Sequence, residues 1–161
     1  MKVGLIGLGR MGEGMSRRMM KQGIEVYGYR RNVAKAQEAA TNGYITAAAD
    51  SLESLVQVVK SRKSIYGEKS GETVYVETPG IFQLVIPAEL VEDTLNELLP
   101  LLGDGDIIID HGNSNFKDSR RRAERLEKLG IQYIDCGTSG GVFGLDRGFC
   151  LMVGGSNTAV S

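Results

Sequence analysis

The first twelve residues constrain this chain more than any other segment. Lys2-Val3-Gly4-Leu5-Ile6 is a short apolar run that reads as a buried strand, and it leads straight into Gly7-Leu8-Gly9-Arg10-Met11-Gly12. The stretch from Glu13 to Gln22 that follows reads as an amphipathic helix. Strand, G-x-G-x-x-G loop and helix, in that order, are what a dinucleotide pyrophosphate requires. Gly7 permits a tight turn, Gly9 lets the backbone approach the phosphates, and Gly12 lets the helix pack closely on the strand. The helix N-terminus adds unpaired N–H groups and a partial positive charge for the anion. Glycine makes up 22 of 161 residues, so three spaced glycines alone are weak evidence. Their place between a strand and a helix carries the reading.

The rest of the chain repeats the same alternation. Ile24 to Tyr29 reads as a second strand and Val33 to Ala40 as a helix, ended by Asn42-Gly43. Tyr44-Ile45-Thr46 reads as a brief third strand, and Asp50 or Ser51 caps a helix reaching about Lys60. Ile81 to Ile86 is a strand, and Pro87 starts a helix through Leu99. Asp106 to Asp110 is a strand, Phe116 to Leu129 a helix with a charged outer face, and Ile131 to Cys136 a strand. Phe149 to Val153 forms a last one. This βα order predicts a single α/β domain over 1–161, a doubly wound, mainly parallel Rossmann-type sheet with helices on both faces. Lys60 to Gly80 interrupts the rhythm. There Ser64-Ile65-Tyr66 and Thr73-Val74-Tyr75-Val76 flank Glu68-Lys69-Ser70-Gly71, which reads as a β-hairpin insertion. A helix-to-strand connection lies at the N-terminal ends of the strands, so the hairpin is expected far from the nucleotide and suited to protein contact.

Composition narrows the function classes. A net charge of −1 does not suggest a nucleic-acid binder. No apolar run approaches the length of a membrane span, and Met1-Lys2-Val3 begins a strand with no signal peptide before it. Cys136 and Cys150 lack C-x-x-C spacing and read as reduced core residues of a cytoplasmic protein, with a disulfide as the minor alternative. His111 is the one histidine, so no metal site is expected.

The tip of the second strand, Tyr29-Arg30-Arg31-Asn32, carries no carboxylate for a ribose 2′-OH. Two guanidiniums suit a 2′-phosphate instead, so NADP is expected over NAD. Asp110-His111-Gly112-Asn113-Ser114-Asn115 and Gly137-Thr138-Ser139-Gly140-Gly141 each follow a strand and reach the ligand edge of the sheet. Asn113 offers an amide and Ser139 a hydroxyl beside close-approach backbone, groups that suit an anionic, polyhydroxylated substrate. Taken singly, these blocks also read as a turn, or as a helix cap at Ser114.

Together the blocks resemble 6-phosphogluconate dehydrogenase (decarboxylating). The resemblance rests on Gly4 to Gly12, Ile86-Pro87-Ala88, Gly112 to Ser119 and Gly137 to Leu145, continuing to Met152-Val153-Gly154-Gly155. It implies oxidation at C3 of 6-phosphogluconate by hydride transfer to NADP, then decarboxylation to ribulose 5-phosphate. It would place Gly7, Leu8, Gly9, Arg10, Met11 and Gly12 on the pyrophosphate, Arg31 on the 2′-phosphate, and Arg30 and Asn32 beside it. Pro87 and Ala88 would lie on the nicotinamide side. Asn113, Ser139, Gly140 and Gly141 would hold the substrate, with Asn113 also beside the cofactor. His111 stands where that family usually has a glycine, where it would crowd the pocket or face solvent, and Phe143 replaces a tryptophan.

In that family the general base lysine and the glutamate acid belong to a helical domain that follows. The chain reaches only Ser161, so no catalytic residue is expected within it, and the domain alone is expected to bind cofactor without turnover. Two other readings are a non-catalytic NADP-binding regulatory or interaction module, and a domain of another β-hydroxyacid dehydrogenase.

Overall fold

A computed structural model describes residues 1–66 and 73–160. β1 (Lys2–Ile6) turns through the glycines into α1 (Arg10–Lys21), β2 (Glu25–Tyr29), α2 (Val33–Thr41), β3 (Ala47–Ala48) and α3 (Leu52–Val59). An excursion, β4 (Ser61–Tyr66) and β5 (Thr73–Thr78), comes next. The second half runs β6 (Ile81–Leu84), α4 (Ala88–Leu98), β7 (Ile107–Asp110), α5 (Phe116–Glu127), β8 (Gln132–Ser139), α6 (Gly144–Arg147), β9 (Cys150–Gly154) and α7 (Asn157–Val160). The main sheet has the order β3-β2-β1-β6-β7-β8-β9. All its pairings are parallel except β8–β9. The order reverses between β1 and β6, and that switch point opens a crevice beyond the carboxyl ends of the strands.

Central strands are apolar on both faces because helices cover both. On one face Leu55 and Val59 of α3, Val91, Leu95 and Leu98 of α4 and Leu126 of α5 pack on Phe82, Leu84 and Ile108. On the other, Ala36 and Ala39 of α2 join Leu5, Leu8, Val26 and Ile45 beneath α1. The capping follows the local chemistry. The Ser51 hydroxyl accepts from the Ser54 N–H at 3.0 Å at the start of α3, and the Asn32 carboxamide accepts from the Lys35 N–H at 3.2 Å at the start of α2.

Several expectations shift. The third strand is Ala47–Ala48, not Tyr44–Thr46, because the Thr46 hydroxyl takes the Val26 N–H at 2.9 Å and delays the regular ladder. β8 runs three residues past Cys136, because antiparallel β9 pairs with it as far as Ser139 opposite Cys150. Thr138 and Ser139 are thus strand residues rather than loop. Cys136 is buried as expected, but Cys150 is exposed on the edge strand and does not belong to the core. The helix cap expected at Ser114 falls on Asn115, whose side chain accepts from the Lys117 N–H at 2.9 Å.

The hairpin strands pair antiparallel, from Ser61 opposite Thr78 to Tyr66 opposite Thr73. Its turn, Glu68 to Gly71, lies outside the described residues. Its base is anchored at the N-terminal edge of the sheet. Buried Asp106, just before β7, accepts from the Gly80 N–H at 2.7 Å, from the Gly103 N–H at 2.8 Å and from the Lys60 ammonium at 3.0 Å.

Candidate functional site at the carboxyl edge of the sheet

The three glycines of the first loop are held by different constraints. Gly7 has φ +105°, and a Cβ there would lie 2.2 Å from the Val85 carbonyl oxygen. A Cβ on Gly12 would lie 2.0 Å from the Gly7 carbonyl oxygen. Both must be glycine for the turn to close on β6 and for α1 to start against it. Gly9 differs. Its φ of −87° and ψ of −175° suit any residue, and a Cβ there meets nothing within 4 Å. It is the N-cap of α1 and makes no side-chain capping bond. The first-turn N–H groups, which have no intrahelical acceptor, therefore open outward past a residue that the fold itself does not require to be small.

The second-strand tip joins this loop. The Gly7 N–H donates to the Tyr29 carbonyl at 3.0 Å, and Arg30 Nη1 donates to the Leu8 carbonyl at 2.9 Å. Leu8 is 1% exposed, so its side chain belongs to the core and only its backbone reaches the site. Asn32 is committed to the α2 cap. Arg31 is exposed and makes no hydrogen bond or ion pair among the described residues. With Gly7, Tyr29, Arg30, Ile86 and Leu90 it lines a cleft between the β1 and β6 ends. The sequence treats Arg30 and Arg31 alike; the fold makes one a brace of the loop and leaves the other free.

The remaining candidates are brought to the same edge. The Val85 N–H donates to the Ile6 carbonyl at 2.8 Å, which holds the segment before Pro87 and Ala88 beside the glycine loop. Pro87 is the N-cap of α4 rather than its first residue. A Cβ on Gly112 would lie 3.0 Å from the Ile86 carbonyl oxygen, so the Asn113 loop packs directly on that segment. Asn113 is exposed and has φ +54°, the one non-glycine residue with positive φ among those described. Left-handed backbone at a non-glycine costs energy, although asparagine tolerates it best. Ser139 is exposed at the end of β8, and Gly140 and Gly141 follow it with φ +138° and +47°. Arg10 and Met11 open the first turn of α1.

A buried polar network lies under the Asn113 loop. Asp110 is fully buried. Its Oδ1 accepts from the Gly112 N–H at 2.8 Å, and its Oδ2 from the Tyr133 hydroxyl at 2.6 Å and the Ser114 hydroxyl at 2.7 Å. Arg122, 5% exposed, approaches the same oxygen at 3.5 Å, donates to Ser114 Oγ at 2.9 Å, and donates through Nε to Glu92 at 3.0 Å. Burial disfavours the Arg122 charge, but the hydrogen bond to Glu92 and the charge of Asp110 outweigh it and hold the proton more firmly than usual. Burial, then the hydrogen bond to Asp110, pushes the Tyr133 phenol up. The signal for this network lay in α5, where Ser119, Arg122 and Leu126 share one face at helical spacing and all three are buried. A charged residue on an apolar stripe calls for a buried counter-charge.

His111 neither crowds the edge nor faces solvent. It is 3% exposed, with Nδ1 2.7 Å from the Thr138 hydroxyl oxygen, and it points to the α1 side of the sheet. Among the described residues, no helix is long and apolar enough to cross a membrane.

The arrangement is one that known proteins share. The family model described as the NAD binding domain of 6-phosphogluconate dehydrogenase matches residues 2–161. A 6-phosphogluconate dehydrogenase, decarboxylating, of Drosophila simulans is 37% identical, across 98% of this chain and 30% of its own length. The NAD(+)-dependent, decarboxylating 6-phosphogluconate dehydrogenase of Haloferax volcanii is 38% identical, across 99% of this chain and 46% of its own. Plasmodium falciparum 6-phosphogluconate dehydrogenase, solved with its cofactor NADP+ and with its substrate, superposes with a TM-score of 0.79. It shares 26% identity over 99% of this chain and 32% of that one. The chain therefore spans less than half the length of these relatives. The carboxyl-edge crevice, with the glycine loop at its head, is that of a dinucleotide-binding domain, and the chain belongs to the family of the NAD binding domain of 6-phosphogluconate dehydrogenase.

Proposed function

We propose that residues 1–161 bind NADP and form the cofactor half of a 6-phosphogluconate dehydrogenase site. Gly9 carries this reading. It is a glycine whose backbone and surroundings would admit a side chain, at the mouth of an uncapped helix. Close approach of a ligand accounts for it, and packing does not. The pyrophosphate would lie along Gly7 to Gly12 against the N–H groups that open α1, with Arg10 and Met11 flanking it. Arg31 would receive the 2′-phosphate as a free guanidinium, while Arg30 holds the loop through the Leu8 carbonyl and Asn32 fixes the start of α2. Pro87 and Ala88 would border the nicotinamide. That ring, when bound, supplies a hydride acceptor. Asn113, Ser139, Gly140 and Gly141 would hold the carboxylate and hydroxyls of 6-phosphogluconate, and Asn113 would also touch the cofactor.

On this reading the acid–base groups are those that the resemblance assigns to a helical domain rather than to residues 1–161. A polypeptide of residues 1–161 is expected to bind dinucleotide and to form no NADPH from 6-phosphogluconate. The same reading places the protein in the cytoplasm and gives the hairpin a protein contact.

Calorimetric titration with NADP and NAD tests the cofactor reading. NADP should bind more tightly, and Arg31→Ala should weaken NADP about tenfold or more while leaving NAD unchanged, as loss of a charged hydrogen bond predicts. Equal affinities in the unaltered protein would defeat the 2′-phosphate assignment. The Haloferax relative, named as NAD(+)-dependent, makes NAD the specific competing cofactor.

A further inference from the structure

Asn113 has φ +54°, a backbone conformation that glycine takes more readily, yet the residue there is an asparagine. It is exposed at the carboxyl edge, and its carboxamide makes no hydrogen bond among the described residues. Asparagine tolerates left-handed backbone because its side chain can bond to the nearby chain. Here the carboxamide does not do so. What holds the left-handed conformation therefore lies outside Asn113 itself.

The two residues that flank Asn113 hold the same buried carboxylate. On one side the Gly112 N–H donates to Asp110 Oδ1 at 2.8 Å, and on the other the Ser114 hydroxyl donates to Oδ2 at 2.7 Å. The direction of the second bond is fixed. Arg122 Nη1 donates to Ser114 Oγ at 2.9 Å and can accept nothing in return, so the single hydroxyl proton goes to the carboxylate. The carboxylate is held in its turn, because Oδ2 also accepts from the Tyr133 hydroxyl of β8 at 2.6 Å. Gly112 is packed closely as well, since a Cβ there would lie 2.9 Å from Oδ1 and 3.0 Å from the Ile86 carbonyl oxygen. Asn113 is thus the crown of a three-residue arch with both feet on one fixed group.

We propose that Ser114 is a positioning residue of the site: its bond to Asp110, opposite the bond from Gly112, holds Asn113 left-handed before any ligand arrives and so presents the carboxamide to the cofactor. The inference rests on the reading that Asn113 touches the cofactor. Without the Ser114 bond, Asn113 returns to the extended and right-handed conformations that side-chain-bearing residues favour. Affinity then falls with the fraction of molecules that keep the left-handed one.

NADP titration by calorimetry, joined to NMR of Asn113, tests this on the 161-residue chain. In the unaltered, ligand-free protein Asn113 should already show the strong NOE between its own Hα and amide proton that marks left-handed backbone. Ser114→Ala should weaken that NOE and reduce NADP affinity about fivefold, and Ser114→Thr, which keeps the hydroxyl, should restore both. Asn113→Gly should lower NADP affinity by itself. Adding Ser114→Ala to it should change affinity by less than about twofold, because no carboxamide is left to position. A similar loss in both backgrounds, an unchanged NOE in Ser114→Ala, or a threonine variant no better than the alanine one would overturn the proposal. So would an Asn113 that samples several conformations in the unaltered chain, a measurement that stands even if Ser114→Ala fails to fold. Unchanged affinity in Asn113→Gly, with the NOE of the unaltered chain intact, would instead defeat the cofactor contact on which the proposal rests.

Discussion

Arg30 and Arg31 are adjacent and chemically identical, yet they stand in different environments. Arg30 spends a guanidinium hydrogen on the Leu8 carbonyl, inside the turn that any bound pyrophosphate would touch. Arg30→Ala should therefore weaken NADP and NAD by a similar factor, about three- to tenfold, because it loosens the loop rather than removing a phosphate contact. Calorimetry on both nucleotides checks this, and a loss confined to NADP would move the 2′-phosphate role from Arg31 to Arg30. Tyr133 makes the same point within the buried network. Its hydroxyl donates to Asp110 at 2.6 Å under the Asn113 loop, and both groups are buried. Tyr133→Phe should lower stability by about 2 kcal/mol, since a buried carboxylate loses one of its donors. Chemical denaturation measures that directly. Unchanged stability would mean that water or Arg122 replaces the lost donor at no cost.

At the level of the element, the loop between β1 and α1 separates glycines needed by the fold from a glycine needed by a ligand. Gly12→Ala drives a methyl into the Gly7 carbonyl oxygen, 2.0 Å from the ideal Cβ position, and should cost about 3 kcal/mol with a clear drop in melting temperature. Gly9→Ala meets open space and an ordinary backbone conformation, so it costs only the poorer N-cap that alanine makes, about 1 kcal/mol or about 3 °C in melting temperature. Its nucleotide affinity should nevertheless fall at least tenfold, because the added methyl blocks the approach of the phosphates. Paired thermal melts and nucleotide titrations decide between these outcomes. Full affinity in Gly9→Ala would remove the main support for the nucleotide site. Strand β8 shows what periodicity does not reveal. Its apolar run suggests an end at Cys136, yet it continues through Thr138 and Ser139 because β9 returns antiparallel and supplies the missing hydrogen bonds. Pairing with a strand that begins only at Cys150 leaves no mark on the local pattern.

For the molecule as a whole, the buried neutral His111 links stability to pH. Its folded pKa is about 4, below the ordinary 6.5, and burial is the main cause. Between those values the unfolded chain binds more protons than the folded one, so stability falls as pH falls from about 6.5 toward 4. Between pH 7.5 and 5.5 the loss should be about 1 kcal/mol, or about 3 °C in melting temperature for a chain of this size. His111→Gln should flatten that slope, and an identical slope in the variant would show that the histidine titrates normally. The amino-acid sequence by itself determined the α/β alternation, the glycine loop and the family, because these depend on hydrophobic period and on residues adjacent in the chain. It also brought the right loops to one edge, since in a doubly wound sheet every strand-to-helix turn ends there. Only the tertiary structure decided which arginine is free and that Asp110 anchors the Asn113 loop. It alone turned His111 away from the edge and left Cys150 exposed. Each of these depends on contacts between residues far apart in the chain, and burial and hydrogen bonding there are properties of the packed sheet that no local pattern encodes.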